Sequence, residues 1–441
     1  MAAAWRLQEA GRDVHLYESS DALGGVMKTR LVDGFTFETG PNTVRSNSRN
    51  LVEWLGELGL GDKILESLET SKRRYIWRNH KLHEVPTGPL SFLRSGLLSF
   101  KGKMRVRAEK KQPVAPDGAP ETLRQFFNRR IGPEATSAFV DPFVAGVYAG
   151  SPDVLGTDAF PILRDMEKIH GSLLKALRAK KKEGHGLASV GLIGLQGGWE
   201  LLPKTLTQKL GERVHSGHRL VSLSPRDEGG YCCRFETNDG DKEVESSEVV
   251  LALPAYEASR ILASVMPRSS KVLGAIPHPH VGVVGLGFQR SQVAHALNGF
   301  GLLVPSDDPL PGAPSVLGML FPSSIFPERA PKECVSLLVM LGGSRDPGAS
   351  DVSDHALEEQ AVAAARRVLG VDGRPGVVST IRWHRAIPQY LPGHSQRIAD
   401  VRNQLMEQPG LVLAGNYLDG VSVEASVQSG FSAASRLVGE G

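Results

Sequence analysis

The opening 25 residues, MAAAWRLQEAGRDVHLYESSDALGG, restrict the fold more than any other stretch. Met1 to Ala10 reads as a helix, Gly11 ends it, and Asp13 to Glu18 reads as a short strand closing on a carboxylate. Helix, glycine, strand and acid in that order form the second half of a dinucleotide-binding βαβ unit. In such a unit a first strand and a glycine-rich phosphate loop run directly into the helix. The expectation is therefore an α/β protein whose first strand and glycine loop are missing ahead of Met1, on the order of 15–20 residues. On that reading Met1 is an internal methionine of a longer chain.

Composition sets outer limits. A chain of 441 residues can bury more than one core, and 41% hydrophobic with 22% charged residues is ordinary for a globular protein. The net charge of +3 is too small over this length to argue for nucleic acid. Cys232 and Cys233 are adjacent and Cys334 stands alone, so neither a zinc spacing nor a disulfide framework is visible. A reducing, cytoplasmic setting fits that usage. No apolar run reaches the ~18 residues that span a bilayer.

Along the chain, residues around Val32 to Phe35 read as a hairpin and Gly40-Pro41-Asn42 as a tight turn. Leu51, Leu55, Leu58 and Ile64 suggest one helix over 48–68, and RRYIWRNHKLHEVP reads as two strands around Asn79-His80. Residues 90–185 read as helical, with apolar positions beside lysines and arginines and a basic loop at Lys180 to Gly186. From residue 197 an α/β pattern returns: a helix in WELLPKTLTQKLG, then strands near 213–223, 231–236, 248–253, 281–288, 335–341 and 377–383. GLVLAGN reads as a buried strand entering a glycine turn, and VSVEASVQSGFSAASRLV as a final helix of small residues.

Two stretches carry cofactor chemistry. An acid at the end of the second strand, Glu18, can accept hydrogen bonds from an adenosine ribose, although a solvent-facing acid is equally common there. Gly24 and Gly25 would let backbone approach a pyrophosphate. At the far end, LAGNYLDGVSV supplies a strand, a glycine turn and the positive end of a helix, which suit phosphate and flavin oxygens. No nucleophile triad or carboxylate pair stands out.

The stretches YESSDALGG, FETGPNT, RRYIWRNHKLHEVPTGP, DPFVAGVYAGSPDVL, GGWELLPKTL, VVLALPA, NGFGLLVPSDDP, IPQYLPGH and LAGNYLDGVSVEASVQSG resemble, in order and over the whole chain, the flavin-containing amine oxidase superfamily. Within it they resemble the protoporphyrinogen/coproporphyrinogen oxidase family. The resemblance implies a Rossmann-like FAD-binding domain of the p-hydroxybenzoate-hydroxylase type, built discontinuously from 1–48, 190–262 and 400–441. It further implies a mixed-sheet substrate domain from 70–90 and 270–395, and a helical, membrane-associated domain at 91–189. It implies noncovalent FAD, oxidation of a porphyrinogen to a porphyrin with O2 as acceptor, and a place in haem biosynthesis. It also implies a peripheral position on the cytoplasmic face of the inner membrane, ferrochelatase as a partner and a homodimer. Coproporphyrinogen III is the alternative substrate. A flavin-free porphyrin carrier is the alternative from another class.

Carried over residue by residue, the resemblance puts Glu18 and Ser19 at the FAD ribose and Gly24, Gly25 and Val26 at the pyrophosphate. Gly40, Pro41, Asn42 and Thr43 would lie along the isoalloxazine, Val214 at the adenine, and Asn416, Val421, Ser422 and Val423 around the flavin ring. Arg74 would bind a propionate, where a guanidinium pairs well with a carboxylate. Phe300 and Leu303 would sandwich a pyrrole, with Ile387 in the same cavity. Without the resemblance, Arg74 reads as one surface charge among Lys72, Arg73 and Arg74, and Phe300 and Leu303 as core. Ala22 stands where the family has an arginine before LGG, which removes a positive charge from the pyrophosphate side. With the missing opening, this leads us to expect poor FAD binding by the 441-residue form and rescue by upstream sequence.

Overall fold

The computed structural model describes residues 1–116, 119–182 and 191–439. Its largest unit is a seven-stranded mixed sheet. The spatial order is Val377–Trp383, Val281–Gln289, Cys334–Gly342, Val316–Leu320, Gly301–Leu303, Tyr75–Arg78 and Lys81–Glu84. All neighbours are antiparallel except Gly301–Leu303 against Tyr75–Arg78, which is parallel. Alternation along the central strand explains its two faces. Val284, Leu286 and Phe288 join Leu357, Ala361, Ala364 and Ala365 of the helix Asp354–Leu369 on one side. On the other side Gly285 and Gly287 leave room for the rings of Phe37 and Phe35, which the hairpin Thr29–Val32 and Phe35–Glu38 lays across the sheet.

The nucleotide-like part contains two parallel pairs, Leu16–Tyr17 with Val214–His215 and Val249–Leu251 with Leu411–Leu413. The helix Ala2–Glu9 packs on the last helix, Val423–Val438, at Gly430, where a Cβ would meet Ala2 and the Ala3 backbone. The small residues of that last helix thus serve close packing. An antiparallel meander, Arg219–Pro225, Tyr231–Thr237 and Gly240–Ser246, flanks this part.

Between Pro89 and Lys182 the chain is mainly helical. A charged knot holds these helices. Arg130 and Glu109 are fully buried and paired, and Glu109 also accepts from Ser172 Oγ and the Leu173 and Leu174 amides. Leu90, Leu93, Phe100, Met104, Ile162 and Ile169 are exposed on the same region. No helix among the described residues is long and apolar enough to cross a membrane.

The structure corrects several expected elements. The helix expected over 48–68 is Arg49–Glu57, because Gly59 takes a left-handed φ of 78° beyond its end. Ile64 belongs instead to the strand Ile64–Glu66, paired with Leu192–Leu195. The strand near 213–223 is two, Val214–His215 and Arg219–Pro225, and 240–246, 301–303 and 316–320 are further strands. Residues 183–186 of the basic loop lie outside the described residues.

Candidate active site

Glu18 continues the first parallel pair: its amide donates to His215 O at 2.9 Å, and the His218 amide donates to Glu18 O at 2.8 Å. This places it beside Val214, whose Cα faces Leu16. Glu18 Oε1 accepts from the Ser20 amide and hydroxyl, both at 2.8 Å, and from Ser19 Oγ at 3.1 Å. The carboxylate is thereby oriented, and Oε2 keeps its lone pairs for vicinal hydroxyls.

The next segment is folded by its glycines. Gly24 and Gly25 take φ of 111° and 58°, and a Cβ on Gly40 would run into the Val26 carbonyl. Residues 24–26 and 40–43 therefore lie against each other. Two indoles clamp the second of these: Trp383 Nε1 donates to Thr39 O at 2.7 Å and Trp199 Nε1 to Asn42 O at 3.2 Å. Ser48 Oγ donates to Glu424 Oε2 at 2.7 Å, tying the same stretch to the start of the last helix. That helix begins at Val423 with Ser422 capping the Ala425 amide at 3.1 Å. Asn416 is fixed by the IPQY stretch, since Tyr390 Oη donates to its carbonyl at 2.6 Å. His394, stacked on Tyr390 at 4.0 Å, donates to Tyr417 O at 2.8 Å.

A polar cradle of backbone, a ribose-competent carboxylate and a capped helix start fit an FAD. Glu18, Ser19, Gly24, Gly25, Val26, Gly40, Pro41, Asn42, Thr43, Val214, Asn416, Val421, Ser422 and Val423 come from distant stretches, and the contacts above link these stretches to one another.

Among the residues expected to meet the substrate, the Arg74 guanidinium lies 5.4 Å from the Phe300 ring centre, and the Phe300 amide donates to Arg73 O at 2.8 Å. Desolvation and then the neighbouring Arg45 push Arg74 below the usual arginine range, although the residue keeps solvent contact. It stays cationic, as arginine does at any working pH. Leu303 sits against the helix Asp141–Tyr148 where Gly146 leaves it room. Phe300, Ala145, Trp383 and Ala386 share one apolar cluster, while Ile387, Val421, Val144, Tyr148 and Tyr390 share the next. Burial pushes the Tyr148 phenol up to about 12 and Tyr390 higher still, so both stay protonated hydroxyls.

The Trp199 and Trp383 clamps, Gly146, Tyr390 and His394 were not anticipated from sequence. For Trp199, Gly146, Tyr390 and His394 the available signal was their position inside the stretches GGWE, AGVYAG and IPQYLPGH, and Trp383 lies outside all three. What the arrangement offers is two apolar clusters that include Phe300 and Ile387, with the cation of Arg74 beside Phe300. Among the described residues no cluster of three or more His, Cys, Asp or Glu could hold a metal.

Known proteins resemble the chain over nearly its whole length. The family "Flavin containing amine oxidoreductase" matches residues 1–438. Protoporphyrinogen oxidase 2, chloroplastic/mitochondrial, of Arabidopsis thaliana is 28% identical over 99% of this chain and 91% of its own length. Coproporphyrinogen III oxidase of Bacillus subtilis (strain 168) is 25% identical over 96% of this chain and 91% of its own. A solved Exiguobacterium sp. 255-15 protein, provisionally named a protoporphyrinogen oxidase, superposes with a TM-score of 0.84 at 25% identity. It covers 100% of this chain and 96% of its own.

Proposed function

The chain belongs to the flavin containing amine oxidoreductase family, and from that premise we propose that it is an FAD-dependent oxidase converting protoporphyrinogen IX to protoporphyrin IX with O2 as acceptor. The observation that carries this is the meeting of the two sets of residues. Ile387 and Val421 share one apolar cluster, and Trp383, which packs in the Phe300 cluster, holds Thr39 beside the 40–43 turn.

When bound, FAD supplies the two-electron oxidation chemistry. Glu18 and Ser19 would hold its ribose, Val214 its adenine, and Gly24, Gly25 and Val26 its pyrophosphate. Gly40 to Thr43 and the segment Asn416 to Val423 would flank its ring. Arg74 takes a propionate of the macrocycle in a charge-assisted hydrogen bond. Phe300 and Leu303 cover one pyrrole face, Ile387 another part of the ring, and the apolar walls exclude water. The protonated phenols of Tyr148 and Tyr390 add no charge to the cavity. No general base is needed from the chain, whose task is orientation.

Coproporphyrinogen III is a second reading, favoured by the Bacillus subtilis relative and by Arg45 standing near Arg74. The exposed apolar residues Leu90, Leu93 and Phe100, in a stretch that also carries Lys101 and Lys103, support docking of the 91–189 region on an anionic membrane surface. The test is an absorbance spectrum of the purified protein, followed by porphyrin fluorescence on both porphyrinogens with and without oxygen. Flavin bands and oxygen-dependent fluorescence support the reading. Flavin-loaded protein that forms no porphyrin from either substrate counts against it.

A further inference from the structure

None of the roles above uses the ion pair of Glu38 and Arg329, which are 4% and 3% exposed with Nη1 2.8 Å from Oε1. Glu38 ends the hairpin strand Phe35–Glu38, two residues before Gly40, and Arg329 ends the short turn Pro327–Arg329 beside the seven-stranded sheet. Removing both charges from water is costly unless other partners complete the pair. Glu38 has them: Oε1 accepts from the Trp199 amide at 2.9 Å and Oε2 from Thr29 Oγ1 at 2.8 Å. Arg329 is less complete. Nη2 reaches Leu195 O at 3.5 Å and the guanidinium lies 5.6 Å from the Phe326 ring. Nη1 is not aligned to donate to the carboxylate and has no other hydrogen-bond partner.

Arg329 also lines a small, partly enclosed cavity with Thr36, Glu38, Asn42, Ile325 and Phe326, which leaves ≈ 10 Å³ for the centre of a water molecule. That is about the room of one water, and Arg329 Nη1 is a buried donor with no partner for such a water to satisfy. Gly194 belongs to the same design, because a Cβ there would press on Phe326 and approach Arg329 Nη2.

We propose that Glu38 and Arg329 enclose one structural water bonded to Arg329 Nη1, and that pair and water together brace the 40–43 turn against the substrate sheet. Both are positioning residues. The proposal rests on the reading that residues 40–43 lie along the flavin. A displacement at position 38 passes within two residues to the surface that sets the distance between flavin and substrate.

The test uses the FAD-loaded protein and the double variant Glu38→Gln with Arg329→Met, neutral on both sides and close in shape, alongside Arg329→Lys. The double variant is expected to fold and to hold stoichiometric flavin. Its anaerobic flavin reduction by porphyrinogen should slow by ~10–100-fold, the cost of a small misplacement of reacting groups. KM should move by less than about threefold, and the fine structure of the visible flavin band should change. Arg329→Lys should recover part of the rate. A double variant that reduces its flavin within about twofold of the parent rate overturns the brace. The water is judged separately, by density in a crystal structure of the unaltered protein, and an empty site in well-ordered density overturns it. A flavin-loaded parent protein that forms no porphyrin overturns the functional reading and with it the bracing role, leaving the water site to that density alone.

Discussion

Tyr390 donates its phenolic proton to the Asn416 carbonyl at 2.6 Å, a bond between the IPQY stretch and the segment that would carry the flavin ring. Tyr390 is buried, while Asn416 is only partly so. Tyr390→Phe should cost ~0.5–1.5 kcal/mol of stability, the net worth of one hydrogen bond whose acceptor water can still reach. The same variant should release FAD faster. Denaturant titration and the rate of flavin loss on dilution check both.

Arg74 is the cation best placed for a carboxylate, beside the face of Phe300. Arg74→Met should raise KM for the porphyrinogen by ~10–100-fold, as expected for one charge-assisted hydrogen bond of ~1.5–3 kcal/mol. The contact exists before and during reaction, so kcat should change little. Arg74→Lys should fall between, since the ammonium keeps the charge and loses the fork. A propionate-esterified substrate should erase the difference between variants. Equal KM values for parent and Arg74→Met on the free acid would reject this role.

Glu109 anchors the helical region. Burial alone would raise its pKa, but Ser172, Arg130 and the amides of Leu173 and Leu174 outweigh that and hold it below the usual carboxylate range. A depressed native pKa means the stabilisation is present above the unfolded value of ~4.5 and is lost as pH falls through the native one. Glu109→Ala leaves the Arg130 guanidinium buried with Glu167 as its remaining carboxylate. The expected loss is ~3–5 kcal/mol, read by urea unfolding followed through tryptophan fluorescence.

Much of the fold was legible where a pattern is local. The small residues of the last helix, the glycines at 24 and 25, and the continuous apolar run through Val281–Gln289 all report constraints within a few residues. What escaped notice depends on partners far along the chain. Glu38 gives no sign of Arg329, and Gly146 gives no sign that it makes room for Leu303. The strand Gly301–Leu303 is too short to show a period and exists because Tyr75–Arg78 and Val316–Leu320 pair on either side. Ile64 fitted a helical spacing and still went to a sheet, since Leu195 lies opposite it. For the candidate site, the resemblance supplied residues, and the structure supplied the bonds that join their segments.

His394 predicts how stability responds to pH. Burial, reinforced by Arg397 and opposed by the bond to Tyr417 O, lowers its pKa from the usual imidazole value. The unfolded chain then takes up a proton near pH ~6.5 that the native state refuses. Stability should fall as pH drops below ~6.5 and level off below the native pKa. His278 and His295 shift in the same direction through burial and add to the slope. His394→Gln keeps a donor for Tyr417 O and should remove one imidazole's share of it. Melting temperatures across pH ~7 to ~5 measure the difference.

Gly40 and Gly146 make a paired test of the two halves of the site. A methyl on Gly40 meets the Val26 carbonyl, which is backbone and can yield only if residues 24–26 move. A methyl on Gly146 meets Leu303 Cδ2, the far end of a side chain that can swing aside. Gly40→Ala should therefore carry an overpacking cost of ~1–3 kcal/mol and lower the ratio of flavin absorbance to protein absorbance. Gly146→Ala should keep that ratio, because it touches no segment assigned to FAD. Its effect should fall on KM, since a displaced Leu303 narrows the wall expected to hold a pyrrole. If Gly146→Ala loses flavin while Gly40→Ala keeps it, the assignment of the two walls is reversed.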